Sequence, residues 1–141
     1  MTTIAYRDGV LSADSLVTNM ACKVGTFEKL FDDKEDNHYG CIGEVQDLIA
    51  FRKWKRGCSE KPKVSEDFCA LMVDKNNNLW IYEDKLIPRK MECEYYAIGS
   101  GYEFALGAMA NGASAYEALE AAIKHDCYSG GEIVSMVNIS K

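Results

Sequence analysis

Apolar and polar positions alternate on either side of Asp8-Gly9, and this pattern predicts a β-hairpin made of Thr2–Tyr6 and Val10–Leu16. Lys29-Leu30-Phe31 and His38–Ile42 predict two more short strands around the acidic connector Asp32–Asn37. That connector lacks the ordered oxygen spacing and glycine of an EF-hand and reads as a solvated turn. Val45, Leu48 and Ile49 recur at helical spacing, predicting a helix over Glu44–Lys53 that Gly57 and Pro62 end. Asp67–Val73 and Leu79–Tyr82 form a second predicted hairpin about the turn Asp74–Asn78. A strand at Tyr95–Ile98 stops at Gly99-Ser100-Gly101, and a helix over Phe104–Ala110 follows, broken by Asn111-Gly112. Ser114 and Glu117 have capping-box spacing, ahead of a helix whose Ala115, Ala118, Leu119, Ala122 and Ile123 make one apolar face. Ser129-Gly130-Gly131 turns the chain into a last strand, Glu132–Ile139.

Strand blocks and helix blocks are segregated in this order, which implies an α+β fold: two sheets packed together with helices outside. The 141 residues suit one domain, 1–141, with no repeat, linker or low-complexity tract.

Composition narrows the classes of function. The 22 acidic against 16 basic residues leave a formal charge of −6, so no nucleic-acid partner is expected. The chain has no apolar run of membrane-spanning length and its N-terminus is too polar for a secretory signal, so no membrane partner and a cytoplasmic location are expected. Six cysteines without a Cys-x-x-Cys, and only two histidines, supply no metal-ligand set; the thiols read as free, and no metal or cofactor is expected. His125, Asp126 and Cys127 are neighbours in sequence, which does not make them a cysteine–histidine catalytic pair.

Candidate chemistry begins at the second residue. Removal of Met1 would expose the amine of Thr2, and an N-terminal Thr carries nucleophile and base in one residue, because its α-amine titrates near neutral pH. Any chain beginning Met-Thr shows this, and Thr is ordinary in a first strand.

Further segments follow in a characteristic order. Thr2-Thr3-Ile4 leads through Asp8-Gly9 to Ala13-Asp14, then come Glu28-Lys29-Leu30-Phe31, Cys41-Ile42-Gly43, Ala97-Ile98-Gly99-Ser100-Gly101 and Asp126-Cys127-Tyr128-Ser129-Gly130-Gly131. Together they resemble the proteasome β-subunits and the bacterial HslV protease, which are N-terminal-nucleophile hydrolases, over residues 2 to 139. Singly, each segment has a plain alternative: Asp14 ends a strand, Lys29 is a surface cation, Ser100 is a turn residue, and Asp126 with Ser129 marks a helix exit.

The resemblance implies a four-layer αββα sandwich and a threonine-type endopeptidase acting on polypeptides inside a homo-oligomeric ring. It implies Thr2 as nucleophile, Asp14 and Lys29 beside it, and Ser100, Asp126 and Ser129 around the amine. Gly43 would offer its N–H to the oxyanion, and Thr18, Phe27, Phe31 and Cys41 would shape the substrate pocket. With two Phe in that pocket and no acidic group awaiting a basic side chain, apolar residues are expected before the scissile bond in preference to basic ones. Two features depart from the family: the missing second helix of the first pair, and Met1, which blocks the Thr2 amine unless it is removed. The stretch from Trp54 to Asp67 is too short for the second helix of the first pair, so the sandwich is shortened and the ring contacts are altered. The chain also carries no Gly-x-x-x-x-Gly-Lys motif, so any ATPase unfoldase must be a separate partner. The rival expectation is a catalytically inactive scaffold or ring-forming paralogue of the same fold.

Overall fold

The computed structural model describes residues 2–19 and 22–137. The predicted fates of Met1 and of the strand's last residues, Asn138 and Ile139, lie outside them. The chain is a mixed α/β protein. Its strands are β1 (Thr3–Arg7), β2 (Val10–Ala13), β3 (Leu16–Asn19), β4 (Cys22–Thr26), β5 (Leu30–Asp32), β6 (His38–Ile42), β7 (Cys69–Val73), β8 (Leu79–Tyr82), β9 (Arg89–Met91), β10 (Tyr95–Gly99) and β11 (Val134–Val137). Its helices are α1 (Val45–Lys55), α2 (Tyr102–Ala110) and α3 (Ala115–His125).

The strands form a four-stranded sheet of order β10-β1-β2-β11, a five-stranded sheet β5-β6-β7-β8-β9, and the ribbon β3-β4. Asp8 and Gly9 both have positive φ, 53° and 78°, the backbone that a two-residue hairpin turn requires. Strand β1 is an inner strand, hydrogen-bonded to β10 with Thr3 opposite Gly99 and to β2 with Ile4 opposite Ala13.

Alternation along β1 divides the interior. Ile4 and Tyr6 join Leu11 and Ala13 of the same sheet and Leu30, Ile42, Leu71, Val73 and Ile81 of the five-stranded sheet in one apolar cluster. Ala5 faces the other way, where Ala97 and the small faces of α2 and α3 meet it. A third cluster, on the far side of the five-stranded sheet, packs Phe31, Tyr39, Cys41, Phe68 and Tyr82 against Leu48 and Phe51 of α1. No helix or strand lies between Lys55 and Cys69. Over this cluster the Lys55 ammonium stands 4.5 Å from the Trp54 ring centroid and 5.3 Å from that of Tyr82.

Several predicted boundaries need correction. The strand expected over Val10–Leu16 breaks at Asp14 and Ser15, because Gly130 O takes the N–H groups of both Ser15 and Leu16 at 3.1 and 3.2 Å. The chain then leaves the sheet and forms the β3-β4 ribbon. Strand β4 is exposed along its whole length, so no apolar alternation announces it. Strand β9, Arg89-Lys90-Met91, is a polar edge and is equally silent. The α3 capping box is present as predicted, with Ser114 Oγ accepting from the Glu117 N–H at 3.1 Å and the Glu117 carboxylate accepting from the Ser114 N–H at 2.9 Å.

Candidate active site

Strand β1 delivers Thr2 to a cavity of about 330 Å³ at the edge where the two large sheets and the ribbon meet. Two glycines permit this approach. Gly99 has φ +104°, and a Cβ there would fall on the Thr2 carbonyl oxygen, while a Cβ on Gly101 would fall on Thr3 Oγ1. The Thr2 carbonyl instead accepts the Ser100 N–H at 2.8 Å.

Thr2, Asp14 and Lys29 come together. The Lys29 ammonium donates to Thr2 Oγ1, to Asp14 Oδ1 at 3.0 Å and to the Leu16 carbonyl at 2.6 Å, which uses all three of its N–H bonds. The Asp14 carboxylate also accepts the Thr3 N–H at 3.2 Å and, on its other oxygen, the Gly130 N–H at 2.9 Å. The Lys29 and Asp14 side chains are 5% and 0% exposed. Burial lowers the Lys29 pKa and raises that of Asp14, and each is partly opposed by the other's charge. Lys29 therefore releases its proton more readily than a surface lysine, and while charged it sets a positive charge against Thr2 Oγ1.

Ser100, Asp126 and Ser129 form a second group. Asp126 Oδ2 accepts from Ser100 Oγ and from Ser129 Oγ, both at 2.6 Å. Burial works to raise the Asp126 pKa, but these two hydrogen bonds, the Tyr128 N–H and nearby positive charge together outweigh it and hold the carboxyl below the ordinary range. Thr3, absent from the sequence expectation, lies between the two groups. Its Oγ1 is 2.8 Å from Ser129 Oγ and accepts the Gly101 N–H at 3.0 Å, while its backbone N–H serves Asp14. Since the Ser129 hydroxyl proton is directed to Asp126, the Thr3 hydroxyl is the donor to Ser129. Period-two alternation could have drawn notice to Thr3, because consecutive strand residues point to opposite sides.

Gly43 follows β6, has φ +129° and lines the cavity together with Thr2. Thr18, Phe27 and Cys41 line it as well, with Val17, Val45 and Leu48. Phe31 does not line it. Residues 27–29 precede β5, and Phe31 lies within that strand, stacked on Tyr39 with ring centroids 4.8 Å apart and covered by Phe51. The lining also includes Glu44 and Asp67, which corrects the expectation of a wall free of acidic groups. Burial pushes the Cys41 thiol up, so it remains a neutral wall group and offers no thiolate.

Among the described residues, no group of three or more His, Cys, Asp or Glu is gathered so that it could hold a metal ion, and no helix is long and apolar enough to cross a membrane.

No protein-family model matches the sequence, and no curated protein matches it either. The fold does match solved structures. Thiobacillus denitrificans BPH is similar with a TM-score of 0.73 and 18% identity, over 96% of each chain. The same protein in complex with epoxomicin is similar with a TM-score of 0.72, 18% identity and the same coverage. At this identity the likeness is one of fold.

Proposed function

We propose that the chain is a threonine peptidase of the proteasome β-subunit and HslV type, and that its three apolar clusters separate the four layers of a shortened αββα sandwich with α1 alone on one outer side. The observation that carries this reading is the Lys29 ammonium, which donates to Thr2 Oγ1 while paired with a buried Asp14 beside an open cavity.

In the reaction, Met1 is first removed, and the Thr2 α-amine becomes free. Thr2 Oγ attacks the substrate carbonyl and its proton passes to that amine, while Lys29 stabilises the developing negative charge on Oγ. The Gly43 N–H holds the oxyanion. Collapse of the tetrahedral intermediate transfers the proton to the leaving amine and leaves an ester on Thr2. Water, activated by the same amine, then hydrolyses the ester. Ser100, Asp126 and Ser129 orient the amine through Thr3 and the Thr2 backbone. Neither metal nor cofactor enters the cycle. The family reading further proposes a homo-oligomeric ring enclosing the sites, polypeptide substrates, a separate ATPase that unfolds them, and a cytoplasmic setting.

The test is hydrolysis of a fluorogenic peptide by protein whose intact mass lacks one Met, beside Thr2→Ala. The expected result is turnover by the first and loss of at least about 10³-fold in the second, with an unchanged fold. Equal rates would overturn the nucleophile assignment. No turnover by correctly assembled protein lacking Met1 would favour a non-catalytic ring-forming paralogue.

A further inference from the structure

The connection between β4 and β5 carries both Phe27, on the cavity wall, and Lys29, yet residues 27–29 belong to no sheet. Apart from the three bonds of the Lys29 ammonium, one hydrogen bond holds the backbone at each of these residues among those described. The Phe27 N–H donates to Ser15 O at 2.9 Å, and Lys29 O accepts the Cys41 N–H at 3.1 Å. The middle bond alone comes from a side chain: Arg52 Nη2, reaching from α1, donates to the Glu28 carbonyl at 3.0 Å.

The same guanidinium stands 5.3 Å from the Phe27 ring centroid and 5.5 Å from that of Phe31. Its Nε is buried and has no hydrogen-bond partner among the described residues. A buried donor left unpaired opposes this placement, so the ring contacts and the Glu28 carbonyl are what hold the group where it is. A planar guanidinium can lie against the rings while its N–H groups donate in its own plane, a fit that a compact ammonium matches less well. Arg56 also approaches Phe31, at 5.5 Å, but its Nε donates to Asp32 O and thus braces β5, not the connection.

We propose that Arg52 is a positioning residue for the cleft: by clamping the Glu28 carbonyl and the Phe27 ring it sets where Lys29 meets Thr2 and where the cavity wall stands. Its kinetic consequence rests on the peptidase reading; its effect on Lys29 does not.

The experiment uses Arg52→Met, which keeps an apolar stem, and Arg52→Lys, which keeps a cation. Each is compared with wild type in kcat and KM per folded molecule, on peptides with Ala or Tyr before the scissile bond, and in the NMR titration of the Lys29 side chain. For Arg52→Met the expected result is a kcat about tenfold lower on both peptides, since small misplacements at a reacting centre are costly. KM is expected to rise on the Tyr peptide alone, because only a large side chain needs the Phe27 wall. The Lys29 titration moves up, toward that of an exposed lysine. Arg52→Lys shifts the same quantities less.

A purely structural role would lower the folded fraction and leave both KM values and the Lys29 titration in place. A wild-type Lys29 titration in the folded variants overturns the proposal, and so do wild-type kinetic constants in an active enzyme. If wild type cleaves neither peptide, the peptidase reading fails, and the Lys29 titration alone decides the role of Arg52. If Arg52→Met does not fold, Arg52→Lys is read by the same criteria.

Discussion

Lys29 and Thr3 share one acceptor: the ammonium of the first and the backbone N–H of the second both meet Asp14 Oδ1, at 3.0 and 3.2 Å. One carboxylate thus fixes both the cation beside Thr2 and the strand that carries Thr2. Chemistry and backbone placement in the cleft are therefore coupled through Asp14.

Lys29→Ala is expected to abolish peptide hydrolysis and to lower stability by about 3–5 kcal/mol, because it leaves the Asp14 carboxylate buried without its counter-ion. Lys29→Arg restores neither, since a planar fork cannot replace a compact ammonium that serves three acceptors in three directions. Peptidase assays with urea unfolding check this, and wild-type activity in either variant would show that Lys29 has no role in the reaction.

Thr3→Val keeps the shape of the side chain and removes its hydroxyl. The buried Gly101 N–H loses its acceptor and Ser129 loses its donor, at an expected cost of about 1–3 kcal/mol. Thr3→Ser should keep most of the lost stability. Chemical unfolding of the three proteins at one pH makes the comparison, and a Val variant as stable as wild type would remove Thr3 from the network.

The folded-state pKa of Asp126 lies below its unfolded value, so this group contributes stability that is present above the unfolded pKa, near 3.8, and is lost as pH falls through the folded one. Asp126→Asn is therefore expected to lose less stability than wild type on acidification below about pH 4. Unfolding midpoints followed from pH 6 downward test the sign. A steeper acid loss in the Asn variant would contradict it.

The cavity wall is mostly apolar, and its two carboxylates, Glu44 and Asp67, stand against one ammonium, that of Lys29, so peptides with Leu or Tyr before the scissile bond should be cleaved at least about tenfold faster than those with Asp or Glu. The double replacement Glu44→Gln with Asp67→Asn narrows that gap. A panel varying only this residue gives the answer, and equal cleavage after Glu and Leu would mean that the cavity does not receive this side chain.

What could be read ahead of the structure was local. The Asp8-Gly9 turn and the Ser114–Glu117 capping box depend on residues at most three apart, and both formed where the spacing predicts. Phe31 was misplaced because a resemblance carries a pocket over position by position and does not say how far along the chain the cavity extends. Here it ends at Phe27 and Lys29, and α1 covers the next ring. Asp67 lines the cavity, and Arg52 braces the connection beside it, from segments far from Thr2 in sequence, and their neighbours along the chain carry no sign of it. The ribbon strand β4 was silent because none of its residues is buried.

The sheet that carries Thr2 is closed by strands from distant parts of the chain. Thr3 pairs opposite Gly99, and Ala13 opposite Val134. Pairings this remote are slow to form, because the loop between the partners must be ordered before any contact rewards it. During synthesis, Thr2, Asp14 and Lys29 leave the ribosome long before the segment that holds Ser129 and β11. On the peptidase reading, a nascent chain presents Thr2, Asp14 and Lys29 without an assembled cleft, and the chemistry waits on the emergence of Ser129 and β11.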